Sequence, residues 1–476
     1  MGWAAVSGRQ DRLAGVLLGL AAGDALGAPY EFHTNVDGAH AEPVGGGLGP
    51  WAPGEWTDDT QMAICIAAVT ARGSRDLEAI AARFLDWYAD GPLDIGNQTR
   101  LVLGGASSPA ALRETAVTYL QRHPAHAAGN GSLMRTAPVA LACLGDDATL
   151  AALARAVSEL THADPLAGDA CVLWCVAIDR AVREDRLDGV RDGLELLAPE
   201  ARTRWREHLD EAEARPPEAF TPNGFVVTAL QAAYAAVRQT PIPAERPGAH
   251  LELALRRAVG IGHDTDTVAA IAGALLGARW GWSAIPQRWL RVLHGWPGLR
   301  ARDLVTLALH TVSGGQDDDA RWPGADSLHR HYRDTDPTPP RVIPAPGDDG
   351  LLLGNATGLA EADVDAVVSL CRSGTAEVAD GVEHLHVPLV DKPGANPNLR
   401  LLLDDLHATL SALRGEGKRV FLHCAGGRSR TPTVAAWHLA RRDGISPQRA
   451  LARVAEALPE VGPNREFLTL LTGGRG

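Results

Sequence analysis

The segment HCAGGRSRT, residues 423–431, places a thiol at Cys424 and a guanidinium at Arg430 with only small or polar residues between them. The apolar run KRVFLHC ahead of it reads as a buried strand, and TPTVAAWHLARR behind it reads as a helix. A strand that feeds a tight loop into a helix N-terminus gathers N–H groups around an anion. The same field favours a thiolate on Cys424. Gly426 and Gly427 let the backbone curl closely around an oxyanion, and the planar fork of Arg430 can grip two of its oxygens. The hydroxyl of Thr431 is placed to steady the thiolate when it leaves. Such chemistry also needs an acid for the leaving oxygen. Asp391, in HVPLVDKPG, ends a predicted strand and opens a Gly/Pro loop, so its carboxylate could swing over a filled site. Asp404 and Asp405 are the alternatives if the loop is arranged differently.

A second chemistry is written ahead of the first. GLAAGDALGAPYEF carries Asp24 and Glu31, GEWTDDTQMAICIAAV carries Thr57, Asp58 and Asp59, PLDIGNQT carries Asp94 and Asn97, and GHDTDTVAAIAGALLGA carries Asp264, Asp266 and Thr267. Taken singly, each is good capping chemistry, since TDDT and HDTDT stand directly before apolar helices. Together they offer more carboxylates than caps require. If these helix starts converge, the crowded negative charge calls for cations. A ligand set of carboxylates and hydroxyls, with no cysteine, favours Mg²⁺ or Mn²⁺ over zinc.

The elements that must position these groups fall into two textures. From residue 10 to 312 the periodicity is helical, as in DLEAIAARFLDWYAD and FVVTALQAAYAAVRQ, with no convincing β-branched alternation. Residues 313–340 combine Gly, Pro and charge and read as a linker. Over 341–476, short apolar runs (GLLLGNAT, DAVVSLC, EHLHVPLVD, KRVFLHC) alternate with helical stretches, which predicts an α/β domain on a mostly parallel central sheet. The expected fold is therefore multidomain: an all-α N-terminal domain followed by an α/β C-terminal one.

Composition narrows the partners. At 476 residues the chain has room for more than one core. A net charge of −13 argues against general nucleic-acid binding, which rests on a broad basic face. The six cysteines show no framework spacing, and Asp24 interrupts the one N-terminal apolar stretch. The expectation is a cytoplasmic protein with reduced thiols and no membrane association.

The N-terminal stretches, with GNGSLMRTAP between them, resemble the ADP-ribosylglycohydrolase family, which includes the dinitrogenase reductase-activating glycohydrolase. The resemblance covers roughly residues 10–312. It implies a two-metal centre held by Thr57, Asp58, Asp59, Asp264, Asp266 and Thr267, with Glu31 beside the bridging water or the ribose. It also implies a substrate loop at Gly129, Asn130, Gly131 and Ser132, with Asn97 on the substrate side and His162 against ADP-ribose. In the arginine-directed branch an Asp at the position of Asp94 is implicated in release of the guanidine, so ADP-ribosyl-arginine on protein is the expected substrate. Residues 340–476 resemble the cysteine-dependent dual-specificity and tyrosine phosphatases. That resemblance implies a phosphocysteine on Cys424, phosphate held by Arg430, Asp391 as the acid, no cofactor, and a phosphorylated protein or small phosphoester as substrate. Two other readings give one domain a purely binding role: an ADP-ribose reader that recruits the phosphatase, or a phosphate-binding C-terminal module.

Overall fold

The computed structural model describes residues 8–316, 338–458 and 460–473. Most of the expected linker, 317–337, lies outside the described residues. Two compact units are present, one built on Arg12–Ile285 and Val292–Asp318, the other on the C-terminal sheet domain together with Pro286–Arg291.

The helical unit is organised by a backbone-to-backbone contact. In the helix Gly8–Gly27, glycines recur every fourth residue, so they share one face. A Cβ added at Gly15, Gly19 or Gly23 would lie 2.3, 2.2 or 2.1 Å from the carbonyl oxygens of Gly277, Gly273 and Ala269. These belong to the helix Thr265–Trp280. At Gly27 an added Cβ would sit 2.4 Å from the Cα of Asp266. The stripe therefore brings the C-terminal end of one helix against the N-terminal turn of the other, which places Asp24 beside Asp266. An 18-residue window of this first helix has a mean hydropathy of 1.3, and 94% of the window is buried inside the unit. By length and composition the helix is one that could cross a membrane; here it packs as a core helix.

The helix Pro165–Glu184 runs through the same core, with Cys171 and Cys175 buried on it. The unit is helical apart from a two-residue antiparallel hairpin, His294–Gly295 (β1) with Leu299–Arg300 (β2). That hairpin is too short to leave a periodic signal.

The second unit holds a five-stranded sheet: Val342–Ala345 (β3), Asp348–Asn355 (β4), Ala366–Ser369 (β5), Glu383–His386 (β6) and Val420–Cys424 (β7). The order is β3-β4-β7-β5-β6. The sheet is mixed: β3 joins β4 antiparallel, while the β4–β7, β7–β5 and β5–β6 ladders are parallel. The proline in RVIPA hides β3 in the sequence and suits an edge strand. All of β7 is buried at the centre. Val420 and Leu422 face the helices Leu399–Gly415 and Arg430–Asp443 on one side, and Phe421 packs with Leu352, Leu359 and Val367 on the other. Burial on both faces explains why β7 is a continuous apolar run.

The glycine contact makes a direct prediction. Gly19→Ala drives a methyl into the carbonyl of Gly273, a backbone atom that cannot swing aside. It should lower the melting transition of the helical unit by an amount equivalent to about 3 kcal/mol or more. Gly224→Ala, which meets nothing within 4 Å, should leave calorimetric unfolding nearly unchanged.

Candidate active sites

The four acidic stretches converge. Asp24 is fully buried. Its Oδ1 accepts from Thr57 N (2.9 Å) and Thr57 Oγ1 (2.8 Å), and its Oδ2 accepts from Thr60 N (3.0 Å) and Thr60 Oγ1 (2.6 Å). A carboxylate from a neighbouring helix thus caps Asp58–Thr70. Thr57 and Asp264 occupy the N-cap positions of their helices but make no side-chain cap bond. Capping therefore does not account for TDDT and HDTDT; these side chains are turned into the pocket.

Thr57 Oγ1 donates to Asp24 Oδ1 at 2.8 Å, and the same oxygen lies 3.4 Å from Asp59 Oδ2 and 3.5 Å from Asp266 Oδ2. Thr267 Oγ1 donates to Asp59 Oδ2 at 3.3 Å. Two groups bring ligand oxygens within 4.8 Å of one another: Asp24, Asp59 and Asp266, and Glu31, Asp264 and Asp266. Asp266 is common to both. Burial and mutual repulsion disfavour charge throughout. Burial raises Asp24 to about 6. Burial, then Asp94, Asp264, Asp58 and Asp24, push Glu31 up to about 9. Asp58, Asp59 and Asp266 are raised well above the usual carboxylate range, first by burial and then by neighbouring carboxylates. Asp94 and Asp264 are raised too, again first by burial. Asp59 Oδ1 is buried with no hydrogen-bond partner. A buried pocket of crowded carboxylate oxygens, with Asp59 Oδ1 unsatisfied, fits divalent cations.

Around this pocket the glycine loop is only partly free to meet a ligand. Asn130 Nδ2 donates to Asp264 Oδ2 (2.7 Å) and to the carbonyl of Asn223 (3.1 Å). Ser132 Oγ accepts from Ser158 Oγ at 2.9 Å, deep in the interior. Gly129 and Gly131 remain half-exposed, with His162 packed behind them. Asn97 starts the helix Asn97–Gly105 and is exposed. Asn223 was not found by sequence reasoning. It accepts from Asp264 N (2.9 Å) and donates to the Gly262 carbonyl (3.2 Å), so it ties two loops together. In TPNGF it looks like ordinary turn chemistry.

The second site lies at the C-terminal end of β7, where Cys424 pairs in register with Asn355 of β4. Residues 425–429 form the loop, and the helix Arg430–Asp443 follows. Gly427 has a φ of 70°, and a Cβ there would meet the Gly354 carbonyl at 3.0 Å, so glycine is required. Arg430 Nη1 donates to the carbonyls of Leu370 (2.6 Å) and Leu389 (3.3 Å), which orients the guanidinium. Thr431 Oγ1 donates to the Gly354 carbonyl at 3.1 Å. Arg428 turns to Glu460 (3.0 Å), which also takes Arg341 (3.0 Å), so its charge is answered at the rim.

Asp391 is hydrogen-bonded across the anion loop. Its Oδ1 accepts from Ser429 Oγ (2.7 Å) and Asn464 Nδ2 (2.9 Å). Asn396 closes the segment behind it with bonds of 2.8 Å to both N and O of Val390, and Gly394 N donates to Glu466 at 3.0 Å. Asp404 instead accepts from Trp437 Nε1 and Arg441, on the helix Leu399–Gly415. Ser429, Asn396 and Asn464 escaped the sequence reading. Asn464 is the N-cap of Arg465–Thr472, a role that gives no hint of Asp391.

An acidic pocket on an all-helical unit and a thiol-bearing anion loop on an α/β unit define two hydrolase classes. The family model for ADP-ribosylglycohydrolase matches residues 5–319, and that for the dual specificity phosphatase catalytic domain matches residues 353–473. The ADP-ribosyl-[dinitrogen reductase] glycohydrolase of Rhodospirillum rubrum is 33% identical over 291 residues, covering 60% of this chain and 90% of that protein. The ADP-ribosylarginine hydrolase Tri1 of Pseudomonas putida (strain GB-1) is 35% identical over 295 residues, covering 59% and 73%. A solved structure described as an ADP-ribosylglycohydrolase-related protein complex superposes with a TM-score of 0.52 at 32% identity, over 65% of this chain and 99% of that one. The chain belongs to the ADP-ribosylglycohydrolase family and carries a dual specificity phosphatase catalytic domain behind it.

The raised carboxylates predict how stability depends on pH. A carboxyl whose folded pKa exceeds its unfolded value binds more protons in the folded state, so stability falls as pH rises between the two. In chelator, the helical unit should lose melting temperature from the ordinary carboxylate range up through about 9, the value for Glu31. Adding Mg²⁺ should restore most at the alkaline end. A melting temperature in chelator that stays level across that range would contradict this.

Proposed function

We propose that the chain is a bifunctional hydrolase. The helical unit removes ADP-ribose from arginine on protein with two divalent cations, Mg²⁺ or Mn²⁺, and the sheet unit cleaves phosphate monoesters through a phosphocysteine. The observation that carries the first half is the pocket where Thr57, Asp58, Asp59, Asp264, Asp266 and Thr267 converge with Glu31 and Asp94. Cations there would supply charge to hold the ribose hydroxyls and orient a water as the glycosidic bond breaks through an oxocarbenium-like state. The residues' own work is separable. Asp24 accepts the Thr57 hydroxyl hydrogen bond, which leaves that oxygen's lone pairs to serve as a ligand. Asn130 fixes the direction of Asp264. Asp94, at the pocket edge, exchanges a proton with the departing guanidine. Gly129 and Gly131 let the substrate approach backbone N–H groups, with Asn97 and His162 bordering it.

In the sheet unit, Cys424 Sγ attacks phosphorus while Arg430 and the loop amides hold the equatorial oxygens. The bond to the leaving oxygen breaks and Asp391 protonates that oxygen. Water then displaces the thiolate, giving its proton back to Asp391, and inorganic phosphate leaves. Two hydrogen bonds already reach Asp391 Oδ1, so the transferred proton rides on Oδ2. A reducing cytosol is the proposed setting, which the six free cysteines suit.

Release of free ADP-ribose from arginine-, serine- and nucleic-acid-linked substrates tests the first half. Release should occur from arginine alone, require metal, and vanish in Asp58→Ala/Asp59→Ala. Bound ADP-ribose with no turnover would make the unit a reader. For the second half, Cys424→Ser should abolish hydrolysis of an aryl phosphate. Asn464→Ala should slow hydrolysis of phenyl phosphate by roughly tenfold or more, in the range of general-acid catalysis. It should barely affect an activated aryl ester, whose leaving group needs no proton. Equal losses on both esters would remove Asp391 from the acid role.

A further inference from the structure

His162 is buried behind the glycine loop with its Nε2 edge toward Gly129 and Gly131. A Cβ on Gly131 would lie 3.0 Å from its Cε1 and 3.2 Å from its Nε2, and one on Gly129 would lie 3.4 Å from Nε2. The other ring nitrogen, Nδ1, is 2.8 Å from Thr161 Oγ1. That hydroxyl also receives Arg135 Nη2 at 2.5 Å.

Donor bookkeeping decides where the protons lie. A guanidinium can only donate, so Thr161 Oγ1 accepts from Arg135. Thr161 is fully buried, and among the described residues its hydroxyl has one other hydrogen-bond partner, Nδ1 of His162. Leaving the hydroxyl proton unpaired there would cost free energy, so Thr161 donates to Nδ1. Nδ1 is then an acceptor, and the ring proton is on Nε2. Charging the ring would place a second cation beside Arg135 in a buried site. Burial, then Arg135, accordingly holds His162 well below its usual range.

Arg135 is itself locked. It is fully buried, its guanidinium carbon lies 4.5 Å from the centre of the Phe84 ring, and its Nη1 meets Met62 Sδ at 3.3 Å. Gln98 Nε2 braces the same corner through the carbonyls of Ala127 and Thr161, both at 3.0 Å.

We propose that Arg135 and Thr161 are positioning residues that hold His162 as a neutral imidazole with its proton on Nε2, so that it offers the ligand a hydrogen-bond donor without charge. The group it meets is an acceptor oxygen, a phosphate or hydroxyl oxygen of an ADP-ribose-type ligand. The ligand half of this inference rests on the glycohydrolase reading above; the proton placement does not.

The test uses the full chain labelled with ¹⁵N-histidine, with His162→Gln to assign the resonance. Long-range ¹H–¹⁵N correlation should show His162 protonated on Nε2, and titration of ADP-ribose with Mg²⁺ present should shift that nitrogen. Thr161→Val, nearly isosteric, should mix the two tautomers and weaken ADP-ribose binding roughly tenfold, the scale of a hydrogen bond to a charged group. Thr161→Ser should restore both. A wild-type ring protonated on Nδ1 overturns the proposal, as does a Thr161→Val protein with unchanged tautomer and affinity. A ring protonated on Nε2 in a chain that binds no ADP-ribose supports the proton placement and removes the ligand reading instead.

Discussion

Like charges crowded away from water are the constraint around which the helical unit is built. Asp24, Glu31, Asp58, Asp59, Asp264 and Asp266 come from segments far apart in the chain, and burial holds their pKa values above the ordinary carboxylate range. Left alone they would push the helix ends apart. They stay together because the helices Gly8–Gly27 and Thr265–Trp280 touch backbone to backbone along a glycine stripe, a contact made by close packing and indifferent to charge. The scaffold holds the pocket in a state that its own residues resist, and cations are what would relieve it.

The two sites reach preorganisation by different routes. In the sheet unit almost everything is local: strand, loop and helix follow one another within residues 420–443. Only Asp391 arrives from elsewhere, and it is pinned by Ser429 and Asn464 to the loop it serves. In the helical unit the decisive contacts cross between segments: Asn130 orients Asp264, and Asp24 orients the Thr57 hydroxyl. Errors of position in such a site would come from packing, whereas in the loop they would come from backbone conformation.

Much of this was legible from residue types and spacing. The strand–loop–helix around Cys424, the four acidic stretches and the division into a helical and an α/β unit can all be read from periodicity and turn chemistry, because those signals are set by neighbours within a few residues. What the sequence left undecided shares a physical cause. TDDT and HDTDT taken singly would also serve as helix caps, and only the fold shows that Asp24 supplies the cap to the first from outside. The Gly and Pro of the Asp391 loop give no sign of the hydrogen bonds that Asn396 and Glu466 make to it. β3 is hidden by its proline, which an edge strand tolerates and a central one would not.

Sequence alone determined which groups are available: a thiol before an anion loop, carboxylates and hydroxyls without soft ligands, and the helices and strands that carry them. These are local properties of the chain, governed by side-chain chemistry and by period. Tertiary structure decided which side chains face one another, which donors are already spent, and where a proton must sit. Asn223, Asn464 and the Arg135–Thr161–His162 relay belong to that second class. Their partners are chosen by the packing of distant segments, and once water is excluded every donor must find an acceptor among whatever the fold has brought near.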